Sequence, residues 1–400
     1  MTSLRVLKVT QVYDLATSAS GQAAKVADIS RHLARRGHVV TVLTAAREIQ
    51  AVRERRDGVE VIGLPAAFRY RAITVNPGVV DFCLRRLREF DVVHLYGTYD
   101  FLGPVVAAFC RRWRVPYVLE PLGMFRPIVR NIGPKRAYRR LLGWPVVAGA
   151  ARVIATSELE REELVADGVP AAKVVVRRNG VEPPGPEEAP SPGAFRRDAG
   201  VGQDQPLVLY LGRISKKKGL DLLLEAFSAV PAPAALAIVG PDDGDGCLQE
   251  LERQRDRLGL NGRVRIMGPR FGADKWAALA DADVVVLPSR SENFGNAAAE
   301  AVACGVPVVV TDRCGIAPLV ADRAGLVVPC HVDAIRYGLS RLLEDPDLRE
   351  RLRAGALEVR RDLSWDEPVA QQEQIYLEVL REHSHRSTAF VPEEGHSRGL

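Results

Sequence analysis

Val284-Val-Val-Leu-Pro-Ser-Arg-Ser-Glu-Asn-Phe-Gly-Asn-Ala-Ala-Ala-Glu-Ala-Val-Ala-Cys-Gly-Val-Pro-Val-Val-Val310 reads as strand, loop, helix and strand in succession. Val284 to Pro288 is a short β-branched run with no polar alternation, as expected of a strand buried on both faces. Arg290 to Asn296 is polar and holds a glycine; Ala297 to Cys304 suits a short helix, with Asn296 as its N-cap and Gly305 as its C-terminal cap. Val306 to Val310 is the next buried strand. A strand that returns through a helix to another strand is the unit of a parallel, doubly wound sheet.

The same unit recurs outward in both directions. Leu207 to Leu211, Ala235 to Val239 and Val264 to Met267 are further strands of this half. Leu4 to Thr10, Val39 to Thr44, Val59 to Leu64, Val92 to Leu95, Tyr117 to Glu120 and Arg152 to Ala155 form a similar set upstream, with helical stretches such as Ala23 to Arg36 between them. The two sets are separated by Val181-Glu-Pro-Pro-Gly-Pro-Glu-Glu-Ala-Pro-Ser-Pro-Gly193, whose five prolines can join neither sheet. The fold class is therefore α/β, with two Rossmann-like doubly wound domains facing a central cleft, where ligands of such sheets collect. The first domain takes residues 1–183, the second 184–363, and a last helix near Trp365 to Glu382 follows; the polar tail 384–400 is expected to be disordered.

Composition bounds the function. At 400 residues, 47% apolar and 26% charged, the chain is globular and long enough for two cores. Six scattered cysteines without a Cys-x-x-Cys pair read as buried thiols of a reducing compartment. Met1 to Thr10 lacks the apolar core of a signal peptide, and no stretch reaches the roughly 18 apolar residues of a membrane span. These features point to the cytoplasm. The net charge is only +5, yet residues 101–150 carry nine basic side chains against the single acid Glu120. Such a field faces an anionic substrate, an anionic lipid surface or simply water; without interleaved aromatic stacking, nucleic acid is not expected.

The chemistry gathers where the second domain's strands end. A helix N-terminus at Asn296 offers free backbone N–H groups, suited to a diphosphate, and Gly295 lets a ligand approach the backbone. Glu292 and Glu300, before and within that helix, are misplaced for phosphate but suited to accepting hydrogen bonds from ribose and sugar hydroxyls. In Tyr210-Leu-Gly-Arg-Ile-Ser-Lys-Lys-Lys-Gly-Leu220, Arg213 and Lys218 leave the end of a strand after Gly212. Guanidinium and ammonium there neutralise a pyrophosphate leaving group without a metal. The Asp-x-Asp pairs do not suit a metal: Asp243 and Asp245 sit in a glycine-rich loop, and Asp281 and Asp283 precede a strand at its amino end. No Gly-x-Gly-x-x-Gly follows a strand, which argues against an NAD(P)-dependent oxidoreductase.

The Gly-Arg-x5-Gly stretch, Ser-Glu-Asn-Phe-Gly-Asn-x3-Glu and the order between them resemble the retaining glycosyltransferase family 4, of the GT-B fold. Arg36-Gly-His-Val-Val-Thr-Val-Leu-Thr44, Asp91-Val-Val-His-Leu-Tyr-Gly97, Thr311-Asp-Arg-Cys-Gly315, Gly325-Leu-Val-Val-Pro329 and Ser364-Trp365 extend the likeness over residues 1 to about 383. The resemblance implies transfer of a hexosyl group from a UDP- or GDP-sugar to a hydroxyl acceptor, such as a glycan or lipid-linked saccharide. It implies retained configuration and neither metal nor cofactor, the nucleotide sugar being a substrate. Glu292 would hold the sugar, Glu300 the ribose, and Arg213 and Lys218 the diphosphate beside the backbone of Phe294, Gly295 and Asn296. The last helix, 364–383, would cross back onto the first domain.

The first domain departs from the family pattern. Its Gly-Gly loop is Ala19-Ser-Gly21, leaving Gly21 for a backbone approach. Its His-Gly-Met segment is Glu120-Pro-Leu-Gly-Met124, with Leu122 in place of the histidine, so His94 and Glu120 become the polar candidates for the reacting centre. In the second domain Pro318 stands where a glutamate often follows a Gly-Gly pair. A nucleotide-sugar epimerase shares this fold and remains an alternative, as does a noncatalytic membrane-associated binding protein. The segment Pro127 to Trp144 mixes cations with Ile, Leu, Tyr and Trp and suits an anionic membrane surface, at the inner face of the plasma membrane.

Overall fold

A computed structural model describes residues 3–13, 21–46, 51–70, 73–125, 132–185, 187 and 190–388. The strands are β1 (Arg5–Thr10), β2 (Val39–Ala45), β3 (Val52–Arg56), β4 (Val59–Leu64), β5 (Phe68–Tyr70), β6 (Ile73–Val75), β7 (Val92–Tyr96), β8 (Tyr117–Glu120), β9 (Arg152–Ala155) and β10 (Val174–Val176), followed by β11 (Leu207–Leu211), β12 (Ala235–Val239), β13 (Val264–Met267), β14 (Val284–Leu287), β15 (Val308–Thr311) and β16 (Gly325–Val328). The first sheet has the order β10-β9-β8-β7-β1-β2-β4-β3 and the second β13-β12-β11-β14-β15-β16; β5 and β6 form a small hairpin. Pairing is parallel throughout both large sheets except at β3, which runs antiparallel to β4.

The second sheet follows the expected pattern closely because its central strands are buried from end to end; β11, β12, β14 and β15 expose no residue beyond 7%. Two boundaries shift at prolines. Pro288 leaves the ladder, and Pro307 delays β15 to Val308, since proline has no N–H to give. Other strands carry no buried-strand signal. β3, Val-Arg-Glu-Arg-Arg, is a charged and exposed edge of the first sheet, and β10 and β16 are short strands at the sheet margins.

Each sheet is covered on both faces. One face of the first sheet packs its Leu7, Leu43, Val93 and Leu119 beneath Phe82, Val106 and Val147. The other packs Val6, Val42, Val92 and Ile154 beneath Ile29 and Leu33 of the first helix (Gly21–Arg35) and Trp365, Val369, Tyr376 and Val379. The last three come from the terminal helix Asp366–Thr388 and Trp365 directly precedes it, so this helix lies on the opposite domain from the sheet it follows. That helix is longer than the sequence suggested, running through residues 384–388; the rest of the tail, 389–400, lies outside the described residues. Charge fastens it as well: Arg36 and His38 meet Glu373, and Arg152 meets Glu382.

Strand order fixes where a ligand can enter. In the second sheet β12 and β13 lie to one side of β11 and β14 to the other, so the crevice opens between the carboxyl ends of β11 and β14. In the first sheet the corresponding point falls between β1 and β7. All six cysteines are free thiols, four of them buried.

Candidate active site

The two crevices meet. Asn296 stands on the first turn of the helix Asn296–Ala303, and its amide nitrogen comes within 3.3 Å of where a Cβ on Gly21 would be. Gly21 opens the first helix after β1, so two helix N-termini from opposite domains face each other across the cleft. Each places positive dipole and backbone N–H groups toward the gap. Asn296 is not the N-cap expected from the sequence. Gly295 occupies that position with φ of +106°, a left-handed conformation that glycine adopts without strain, and Asn296 begins the helix itself. Its Oδ1 accepts instead from Asn179 Nδ2 at 2.8 Å. Residues 14–20, which include Ala19 and Ser20, lie outside the described residues.

The loop carrying Glu292 is clamped on both sides. The Glu292 N–H donates to the Arg313 carbonyl, and its own carbonyl accepts from Gly315 N, a short parallel bridge between loops. Gly315 has no room for a side chain: a Cβ there would lie 1.9 Å from the Asn293 carbonyl and 2.5 Å from Ser157. Ser157, just after β9, donates to that same Asn293 carbonyl at 2.6 Å. Asn293 also lies over Gly123, a Cβ of which would sit 1.9 Å from its Oδ1. Loops of both domains thus interlock around one asparagine.

The Glu292 carboxylate contacts Lys218 Nζ. Burial pushes this carboxyl upward, but Lys218 and then Lys217 and Arg213 outweigh it and hold the group below its ordinary value. Lys218 ends a helical turn after Gly212, and that loop is tied to the Glu292 loop by Arg290, which bonds the Lys216 carbonyl and grips Asp221 with two bonds of 2.6 Å. Arg213 lies at the rim, 55% exposed, paired with Asp243 at 3.0 Å. Glu300 pairs with Lys275 at 2.9 Å, a cation the motif reading did not single out. Phe294 turns its ring into the core at 2% exposure, and its carbonyl accepts from Ile316 N, so only backbone can serve a ligand there.

His94 and Glu120 are placed elsewhere than the sequence suggested. Both are 0% exposed, on the sheet face beneath the terminal helix and not on the cleft wall. His94 Nδ1 meets the Tyr376 hydroxyl at 2.8 Å, and burial drives its pKa down to about 3, so the ring is neutral. Glu120 lies between Lys25 and Arg177, both buried. Burial alone would raise its pKa, but Arg177 and Lys25 hold it well below the ordinary value. Both side chains are spent on buried partners, and they tie the first helix, the segment after β10 and the terminal helix together. The turn that follows, Leu122-Gly123, has left-handed φ values of 57° and 66° and is fixed by Glu160, which accepts from Gly123 N at 2.7 Å.

The Asp-x-Asp pair before β14 has structural duties. Asp281 accepts from the N–H groups of Gly193, Phe195 and Arg196, and Asp283 pairs with Arg196 at 2.7 Å. Among the described residues no cluster of His, Cys, Asp or Glu could hold a metal ion, and no helix is long and apolar enough to cross a membrane. Beyond the Ser157–Asn293 contact a second opening of about 520 Å³ lies between the domains, lined mainly by apolar side chains such as Leu159, Val176, Pro318 and Val327.

Comparison with known proteins accords with this fold. Residues 193–359 match the family described as glycosyl transferases group 1, and residues 20–180 match the glycosyl transferase 4-like domain. Among curated proteins, a D-inositol 3-phosphate glycosyltransferase of Xylanimonas cellulosilytica is 32% identical over 91% of this chain and 93% of its own. That of Thermomonospora curvata is 32% identical over 90% of each chain. Among solved structures, sucrose-phosphate synthase from Thermosynechococcus elongatus superposes with a TM-score of 0.76 at 21% identity, over 95% of this chain and 100% of its own. HepE from Anabaena, in complex with UDP and glucose, gives 0.74 at 19% identity, over 97% and 100%.

Proposed function

The chain belongs to the group 1, family 4-type glycosyltransferases of the GT-B fold, and on that premise we propose that it moves a hexosyl group from a nucleotide-diphosphate sugar to a hydroxyl acceptor with retention of configuration. The observation that carries the proposal is the pair of helix N-termini facing each other at Gly21 and Asn296, with Lys218 and Glu292 in contact beside them. In this reading the diphosphate lies between the two helix ends, its charge met by their N–H groups, Lys218 and Arg213. Glu292 accepts hydrogen bonds from the sugar hydroxyls and Glu300 from the ribose. Each carboxylate already faces a lysine that balances its charge while leaving oxygen lone pairs for those hydroxyls.

As the anomeric carbon–oxygen bond lengthens, negative charge grows on the departing phosphate, where fixed cations and dipoles stabilise it more than in the ground state. The acceptor hydroxyl attacks from the face the phosphate leaves, and its proton passes to the departing phosphate oxygen. The step needs no carboxylate base, in keeping with the burial of Glu120 and His94. Charge neutralisation by Arg213 and Lys218 also requires no metal.

UDP- and GDP-sugars are the proposed donors; the HepE complexes with UDP and with UDP-glucose favour trying UDP first. For the acceptor, a glycan or lipid-linked saccharide suits the basic region around residues 132–144, which presents Leu141 at 71% and Trp144 at 39% exposure with Arg136 and Arg140 exposed beside them. Such a surface rests on anionic lipid, and flotation with vesicles containing or lacking anionic lipid tests it; no binding to either rejects it. A small phosphorylated polyol is the second acceptor reading, favoured by the names of the curated relatives. The deciding experiment is a panel of UDP-, GDP- and ADP-sugars read by thermal shift, then transfer assays with both acceptor classes and NMR of the product's anomeric configuration. A parent protein stabilised by no nucleotide sugar would overturn the proposal, as would an inverted product for the retaining mechanism.

A further inference from the structure

Asn179 belongs to none of the motifs that carry the donor site, yet it touches that site more directly than several residues that do. It sits in the segment joining β10 to the proline-rich linker, and its neighbours in that segment are tied down. Arg177, fully buried, reaches Glu120 at 2.6 Å. Gly180 rests against Trp365, where a Cβ would come to 2.5 Å, and Val181 N donates to the Leu363 carbonyl at 2.7 Å. Asn179 is therefore held rigidly, 6% exposed, at the point where the chain passes from one domain to the other.

Its Nδ2 donates to Asn296 Oδ1 at 2.8 Å, while its own Oδ1 is buried without a partner among the described residues. An amide has two ends. Once Asn296 Oδ1 is engaged by Asn179, the Asn296 NH2 group is turned the other way, toward Gly21 and the gap between the helix N-termini. We propose that Asn179 is a positioning residue of the donor site: by holding the Asn296 carbonyl oxygen, it keeps the Asn296 amide donating into the gap that receives the donor's diphosphate. The inference rests on the diphosphate reading of that gap. It adds that the polarity of one side chain is set from the interdomain segment, so that Asn296 turns its NH2 group, and not its oxygen, toward an anion in the gap.

The substitutions Asn179→Asp and Asn179→Ala separate this role from a packing role. A carboxylate at 179 cannot donate to Asn296 Oδ1, so the Asn296 amide turns over to donate to it and presents its oxygen to the diphosphate. Alanine merely frees the amide to rotate. Affinity for a nucleoside diphosphate (UDP, GDP or ADP, whichever stabilises the parent) is measured by calorimetry, with the matching nucleoside as a phosphate-free reference. The expected loss is about tenfold for alanine and about a hundredfold for aspartate, with nucleoside affinity unchanged in both. Melting without ligand and circular dichroism establish that each variant is folded; should the aspartate variant not fold, the alanine variant's diphosphate-to-nucleoside ratio decides alone. Equal loss for nucleoside and diphosphate, or unchanged diphosphate affinity, overturns the inference. A parent that binds no nucleoside diphosphate overturns the donor-site reading instead, a result distinguishable from the other two.

Discussion

Glu120→Gln separates a structural carboxylate from a catalytic one. The substitution keeps the side chain's shape and removes its charge. Glu120 is 0% exposed and is flanked by Lys25 at 4% and Arg177 at 0%, with His94 Nε2 3.4 Å away and neutral. Without the carboxylate two cations remain, buried and facing an amide. Removing one partner of a buried ion pair costs about 3–5 kcal/mol, and here one carboxylate serves two cations, so the upper part of that range applies. Lys25 limits the loss. Burial, only partly offset by Glu120, has already brought its pKa down to about 8. In the variant that value drops further, and the folded protein releases the proton. The unfolded lysine keeps its proton to about pH 10.4. The unfolded state thus binds more protons across this interval, so the variant's stability rises with pH from neutrality toward about pH 10. Urea unfolding at about pH 7 and pH 9, followed by circular dichroism and tryptophan fluorescence, measures both quantities. Adding Lys25→Met to the variant removes one orphaned charge and restores part of the loss at neutral pH. A Glu120→Gln protein within about 1 kcal/mol of the parent at neutral pH, but unable to transfer sugar, would refute the reasoning and return Glu120 to the chemistry.

Further outcomes follow from the same geometry. Lys218→Ala and Glu292→Ala should each lower transfer by about two to three orders of magnitude in a protein that still folds, with some loss of melting temperature because each leaves a partly buried partner unpaired; full activity in both would sink the assignment. Asp100 is 5% exposed, and burial pushes its pKa up to about 6 despite the N–H groups of Gly103 and Leu102. Its folded pKa lies above the unfolded one, so its ionisation works against folding above about pH 6 and this penalty fades as the pH falls toward about 4. Asp100→Asn keeps an oxygen for the Gly103 N–H and should stabilise the protein at about pH 7 by up to about 3 kcal/mol, flattening the stability curve between about pH 6 and 4 in urea titrations. Gly315→Ala places a methyl group against the Asn293 carbonyl and Ser157, so the interlocked loops must part. A loss of about 1–3 kcal/mol in melting experiments, with weakened nucleoside diphosphate binding, is expected. Transfer should persist after EDTA treatment; its loss, with recovery on adding Mg²⁺, would contradict charge neutralisation by Arg213 and Lys218.

What the sequence could disclose was decided by how local each signal is. The central strands of the second domain, β11, β12, β14 and β15, are legible because both faces of each are buried and one apolar run says so. β3 is invisible by the same rule: an exposed edge needs no apolar run, and Arg-Glu-Arg-Arg advertises nothing. The loop proposed to hold the donor stands out in the sequence because glycine, carboxylate and helix start all fall between Glu292 and Glu300. Asn179 and Lys275 are not, since they reach Asn296 and Glu300 from 117 and 25 residues away. The local hint of Asn179 was an Asn-Gly pair before a proline-rich stretch, which reads first as a turn.

His94 and Glu120 teach the converse lesson. Register places His94 beside Lys8, and Tyr96 beside Glu120, on strands whose carboxyl ends point at the cleft, and that much is inferable from alternation. Being near a strand end says nothing of which face a side chain occupies, nor what covers that face. Here the cover is the terminal helix, whose Tyr376 lies 282 residues beyond His94 and follows a segment that has already completed the other domain. A polar residue at a strand end becomes catalytic or structural according to whether such a helix returns over it. The buried Lys25–Glu120–Arg177 group is then the fastening under that return, and Arg177 lies in the same short segment as Asn179. Through that segment the two domains share both their support and the edge of the proposed donor site.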